Sequence, residues 1–346
     1  MRHRSIVRGL LALGLIVLTA CGTGAAPTAV PTSTPLETSI QLSWLHSIEF
    51  AGIYAINHQN IGSQARMTLR IDGGGFDDKG QYINPVAQVV SGQADFGVAG
   101  ADIVLRARAE GMPVVAIATI YQRSPVALIS LKSANIQRPQ DLAGKRIGIA
   151  PPGTTVYVSY QALLKAETID TSGINEIAVL PENAVQDLFD NKIDALHAFI
   201  THEATQARAQ RDDINVLLLS DYGIDLYSNV VFTTEKMIAE NPAAVETFVK
   251  ALSQGLQWSI DHPQEAAKQV VSDYGATMPP QLQALQEAGM LASVPLIKPA
   301  GSQPAMMSAK VWENTQQILL DQQLIAAPID VTKAYDLSFI NRAYGQ

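Results

Sequence analysis

The chain has 346 residues, with 24 basic and 32 acidic side chains and a formal charge of −8. Apolar residues make up 47% and charged ones 16%, a balance that suits a full hydrophobic core, and the acidic excess argues against nucleic acid as a partner. A single cysteine excludes an internal disulfide.

The first 20 residues read as a lipoprotein signal peptide. Arg2, Arg4 and Arg8 precede an apolar run over 9–20 that falls short of the ~20 residues a membrane-spanning helix needs. "LTAC", 18–21, is a lipobox: a bulky apolar residue and two small ones before the cysteine that takes the lipid. Cys21 is the expected lipidation site, which puts the mature protein on the extracytoplasmic face of the cell membrane. "GTGAAPTAVPTSTP" follows, uncharged and rich in Pro and Thr, so 21–37 reads as a flexible tether. No later run is long and apolar enough to span a bilayer.

Beyond the tether, strand and helix alternate. "SIQLSWL", 39–45, has Ile40, Leu42 and Trp44 on one face, a strand pattern. "EFAGIYAINHQNIG" carries helical spacing, "RMTLRID" is a second strand and "GGGFDDKG" a loop. "NPVAQVVSGQ" is a helix with proline in its first turn. "ADFGVAG" is a strand, "ADIVLRARAEG" a helix with its acid early and its arginines late, and "PVVAIATI" a buried strand. The alternation repeats in "KRIGIAPPGTTVYVSYQALLKAE", "EIAVLP", "NAVQDLFDNK" and "IDALHAFI". From Pro242 the chain is largely helical. The order predicts an α/β protein with a mostly parallel sheet in each half.

Ligands of open α/β sheets bind beyond the carboxyl ends of the strands. Four segments qualify: 44–52, 98–102, 150–157 and 197–204. Gly153 and Thr154 would turn backbone N–H groups toward a ligand oxygen, although "PPGTT" lacks the pattern of a phosphate loop or a dinucleotide site. His46 and Glu49, three apart beside Trp44, have no clear third partner for a metal and are expected instead to contact the ligand. His197, His202 and Glu203 are polar residues at another strand end, and Trp258 and Trp312 lie in helical stretches.

In "WLHSIEFAGIYAI", "VSGQADFGVAGADIVLRARAEGMPVVAIATIYQRSP", "DLAGKRIGIAPPGTTVY", "DNKIDALHAFITHEA" and "FTTEKMIAENPAAVETFVKALSQGLQWSIDHPQEAA" the chain resembles the NMT1/THI5-like solute-binding proteins of ABC importers. The resemblance implies a type II periplasmic-binding-protein fold. Its lobe 1 would comprise 38–122 and 230–346, and its lobe 2 would be 123–229. A ligand in the cleft would close the lobes on each other. It further implies a monomer that delivers a small molecule to a membrane permease, with no cofactor, no metal and no catalysis.

Two groups of the family, binders of formylaminopyrimidine and of riboflavin, resemble the chain most in these pieces. Such flat ligands want aromatic faces, which Trp44, His46, Tyr54, Tyr121, Tyr157 and Tyr227 could supply. Asp102, Gln122, Asn183 and Glu203 could read their edges. The pyrimidine binders usually carry Trp-x-Pro-Asn in the first loop and Asn before the glutamate. This chain has "WLHS" and His202-Glu203, and riboflavin is therefore the favoured ligand. Two readings of other classes stand beside this one. The yeast-type enzymes of the family carry a cysteine-rich iron motif, which a chain with Cys21 alone lacks. An extracellular sensor could use the same fold.

Overall fold

The computed structural model describes residues 35–278 and 280–345. The signal peptide, Cys21 and the tether through residue 34 lie outside the described residues. Leu36 and Glu37, assigned to the tether by composition, are instead the first two residues of a strand: the Leu36 N–H donates to the Arg66 carbonyl at 2.8 Å.

The strands run β1 (Leu36–Gln41), β2 (Met67–Asp72), β3 (Phe96–Ala99), β4 (Val114–Thr119), β5 (Val126–Leu131), β6 (Arg146–Ile149), β7 (Asn175–Ala178), β8 (Ala195–Phe199), β9 (Ile214–Leu218) and β10 (Val230–Thr234). They form two five-stranded sheets, ordered β2-β1-β3-β10-β4 and β7-β6-β8-β5-β9. In the first, β1 is parallel to β2 and β3, and only β10 runs against its neighbours. In the second, β6 is parallel to β7 and β8, and only β5 runs against its neighbours. Each antiparallel strand is the one that enters a sheet directly after the chain leaves the other. β4 and β5 are buried along their whole length, as strands covered on both faces must be.

The helices that matter below are α1 (Ala51–His58), α2 (Ala101–Ala109), α3 (Thr155–Ala166), α4 (Ala184–Phe189), α5 (Glu203–Gln210), α6 (Pro242–Asp261), α7 (Pro263–Tyr274), α8 (Gln286–Ile297) and α9 (Ala309–Asp321). His262 breaks the long helical stretch into α6 and α7, because Pro263 disfavours helical backbone in the residue before it. Its φ of −131° and ψ of 56° are not helical.

The two sheets with their helices make two lobes in contact. One buried apolar cluster runs from Val104 and Phe232 on the first lobe, through Trp312 of α9, to Val158 and Tyr160 on the second. α9 is pinned to α3 by Gln322 Nε2 donating to the Val158 carbonyl at 2.9 Å and by a Lys165–Asp321 pair at 3.0 Å.

Candidate functional site

The carboxyl end of β1 leads into Trp44, and a glycine-rich hairpin folds back over it. Gly73 and Gly74 allow that approach. A Cβ on Gly73 would lie 2.9 Å from His46 Nε2, and one on Gly74 only 2.7 Å from the Trp44 nitrogen. The Gly74 N–H then donates to the Trp44 carbonyl at 2.9 Å. Asp77 Oδ1 caps the turn by accepting from the N–H groups of Lys79 and Gln81. The hairpin presents Phe76 and Tyr82 as paired residues. Trp44, Phe76 and Tyr82 meet edge to face, with ring centroids 5.7 Å and 6.0 Å apart. Phe76 is 58% and Tyr82 46% exposed, and they are the only exposed Phe, Tyr or Trp side chains among the described residues.

His46 turns away from this surface. Its ring stacks on Tyr274 at 3.7 Å, and its Nδ1 shares a 3.0 Å hydrogen bond with the Tyr54 hydroxyl. Burial holds its pKa below the usual imidazole value. Tyr54 is a core residue, 2% exposed, closed in by His46 and Tyr274. No group of three His, Cys, Asp or Glu side chains among the described residues is placed to hold a metal ion.

At the ends of β3 and β6 the two lobes touch. Asp102, in the first turn of α2, is fully buried and accepts from the Thr155 hydroxyl at 2.6 Å. Arg106 lies 3.6 Å from the other carboxylate oxygen and donates to the Gly153 carbonyl at 2.8 Å. Gly153 adopts φ +85°, a backbone state that suits glycine. Thr154 caps α3, its hydroxyl accepting from the Tyr157 N–H at 3.3 Å. Tyr157 stands half-buried on α3 and donates to Glu176 at 3.1 Å.

A third junction joins the lobes beside α8. Ser47, Ile48 and Glu49 face Thr201 and His202 across a cavity of about 10 Å3, room for about one water. Leu282, Leu285 and Gln286 complete its wall. Burial pushes the Glu49 carboxyl up to about 7, with His202 opposing the shift and Glu203 adding to it. Gln286 is already engaged: it accepts from the Ile48 N–H at 2.9 Å and donates to the Leu282 carbonyl at 2.8 Å. The Thr201 hydroxyl is buried there, close to the Tyr121 hydroxyl. Glu203 accepts from the Phe199 N–H at 2.8 Å and so supports the turn into α5.

Of the remaining residues singled out by sequence, two border these junctions: Tyr121 lies close to Glu49 and Thr201, and the Tyr227 carbonyl accepts from the Ala101 N–H at 2.8 Å at the start of α2. Tyr121 is fully buried, its hydroxyl bonded to Ser293, and burial raises its pKa. Gln122 donates to the carbonyls of Ile297 and Gln303. Tyr227 is 3% exposed and accepts from the Ser308 N–H at 2.8 Å. Asn183 is exposed at the start of α4. Sequence reasoning passed over Phe76, Tyr82, Arg106, Thr155 and Tyr274. Two aromatics inside "GGGFDDKGQY", a loop otherwise without apolar bulk, were the available signal for the first two.

A family model described as NMT1/THI5 like matches residues 78–266. The riboflavin-binding protein RibY of Chloroflexus aurantiacus is 26% identical and aligns over 98% of both chains. The formylaminopyrimidine-binding protein of Halalkalibacterium halodurans is 21% identical over 94% of this chain and 96% of its own. The 4-amino-5-hydroxymethyl-2-methylpyrimidine phosphate synthase of Legionella pneumophila is 25% identical over 52% of this chain and 58% of its own. Among solved structures, the periplasmic aliphatic sulphonate binding protein SsuA of Escherichia coli superposes with a TM-score of 0.68 at 14% identity, over 90% of this chain and 99% of that one. At that identity the likeness speaks for the fold, a periplasmic-binding-protein fold of two α/β lobes. Since the family model spans more than half of its length, the chain belongs to the NMT1/THI5-like family.

Proposed function

We propose that the protein is the substrate-binding component of an ABC importer, that it captures a flat, uncharged heteroaromatic, riboflavin first, and that it hands this ligand to a membrane permease unchanged. The observation that carries the reading is the Trp44–Phe76–Tyr82 surface at the carboxyl ends of β1 and β2. Exposed aromatic carbon is unfavourable in water, and a planar ring system would cover it while stacking. RibY supports riboflavin, because its similarity extends over nearly the whole of both chains. The lobes are taken to divide near 122/123 and 229/230, and Cys21 to carry the lipid that anchors a monomer at the extracytoplasmic face. No helix among the described residues is long and apolar enough to cross a membrane.

The second reading is a formylaminopyrimidine or a related thiamine precursor, supported by the Halalkalibacterium relative. An enzyme that makes such a pyrimidine is disfavoured by the single cysteine, which leaves nothing for a cysteine-rich iron motif. Titration of the purified full chain carrying C21S with riboflavin should quench flavin fluorescence at micromolar protein. An unchanged signal, together with heat release on adding a formylated aminopyrimidine, would replace the first reading with the second.

A further inference from the structure

Two helix N-termini meet where the lobes touch, that of α2 from the first lobe and that of α3 from the second. Ends of this kind attract anions, because their first N–H groups lack partners and the helix dipole adds positive potential. A ligand carboxylate or sulfonate would find such a seat at the strand ends. In this chain the seat is taken by the protein's own Asp102.

The fit leaves no slack. Asp102 is fully buried, and its Oδ1 accepts from the Thr155 hydroxyl across the lobe boundary at 2.6 Å. Arg106, one turn further along α2, balances the charge at 3.6 Å and reaches over the boundary to the Gly153 carbonyl at 2.8 Å. Gly100, the N-cap of α2, lies against both partners: a Cβ there would overlap Asp102 Oδ1 and Thr155 Oγ1. Asp102 Oδ2 is buried and accepts no hydrogen bond, so its charge rests on Arg106 and the helix end. Burial raises the Asp102 pKa, and Thr155, Arg106 and the first-turn N–H groups pull it back toward the charged form.

We propose that Asp102, Arg106, Gly153 and Thr155 form a cross-lobe clasp in which the protein's own carboxylate holds the anion seat, so that the cleft rejects anionic ligands and closes through protein–protein contact. A second carboxylate or sulfonate at the same place would meet a buried like charge. The ligand must then be neutral where it approaches the clasp. This last clause rests on the binding-protein reading given above, whereas the clasp itself does not.

The test uses the full chain carrying C21S, with spin labels on Q64C in the first lobe and T171C in the second, two exposed positions. Without ligand the parent should give mainly one short inter-label distance. T155V keeps the side-chain shape and removes the donor, and it should populate a longer distance. T155S restores the hydroxyl and should return the short one. Riboflavin affinity should fall about tenfold in T155V, the scale of one lost charge-assisted hydrogen bond. The parent should not bind ethanesulfonate at about 1 mM, against an affinity well below that for a cleft with an open anion seat. A T155V distance distribution equal to the parent's, with both proteins folded by circular dichroism, overturns the clasp. Binding of ethanesulfonate by the parent overturns the exclusion of anions. If the distances shift as expected and riboflavin does not bind, the ligand reading fails and the clasp stands.

Discussion

Phe76 is the residue whose removal separates folding from binding. At 58% exposed it contributes little to the core, so Phe76→Ser should leave the melting temperature within a degree or two. Stacking of a planar ring on an aromatic side chain is worth ~1–3 kcal/mol, so the same change should weaken riboflavin binding by about one to two orders of magnitude. Fluorescence titration and a thermal melt on one preparation measure both. Equal affinity in variant and parent would remove the hairpin from the site. Tyr54→Phe is the converse control: it breaks the hydrogen bond to His46 inside the core and should lower stability without touching affinity. The contrast explains what the residues alone could not reveal. Tyr121, Tyr227 and Trp44 all follow strand ends or crossings in the sequence. Only packing decides that the first two are enclosed and the third borders an aromatic surface, because an aromatic ring serves a core and a stacking face equally well. Asp102 and Gly153 were legible as polar or turn residues at strand ends. Their partners were not, since Thr155 and Arg106 gain meaning only once two segments about 50 residues apart are brought together.

At the scale of elements, α1 and α6 pack through glycines. A methyl group on Gly255 would overlap the Gly52 carbonyl, and one on Gly52 would come within 2.5 Å of the Leu256 side chain. Backbone contact of this kind cannot yield by a rotamer change, so Gly255→Ala should cost about 1–3 kcal/mol as the helices move apart. It should also lower the melting temperature by several degrees. No loss on a denaturant curve would mean that the helices have room to separate. Most of the strands that share a direction were readable from the sequence, since an apolar run followed by a helical pattern marks them, as β3 by α2 and β6 by α3. β5, β9 and β10 were not identified. β5 and β10 enter their sheets from a crossing and run against their neighbours. Nothing local marks where a buried run such as "VALISL" will insert, because a short apolar stretch has no period of its own. The break between α6 and α7 was readable in principle from "HP", yet the apolar spacing continues across it.

For the whole molecule, two buried groups that titrate in opposite senses set the dependence of stability on pH. Glu49 rises from 4.5 to about 7 in the folded protein. Its contribution is fully present below 4.5, where the carboxyl is neutral in both states, and is lost as pH rises through 7. The shift corresponds to about 3 kcal/mol. His197, buried on β8 with both ring nitrogens unpartnered, falls from 6.5 to about 3. Its contribution is fully present above 6.5 and is lost as pH falls through 3. Between 4.5 and 6.5 the two slopes oppose each other, so stability should be flat there and decline on either side. Asp102 and Asp225, both raised by burial, lose their contribution as pH rises above 3.8, while the lowered carboxyls of Asp194 and Asp213 add to the decline in acid. Melting should therefore occur at a higher temperature at about pH 5.5 than at about pH 8. Glu49→Gln cannot ionise, so at pH 8 it should melt above the parent by about 5 °C, while at pH 4.5 the two should nearly coincide. An equal offset at both pH values would mean that Glu49 is not held neutral between the lobes, and the alkaline limb would then need another group. Glu49 faces Thr201 and His202 of the other lobe across the small cavity beside α8, so part of its desolvation arises only when the lobes are together. The same variant should therefore also reduce the pH dependence of ligand affinity, which links the stability curve to the closure on which capture depends.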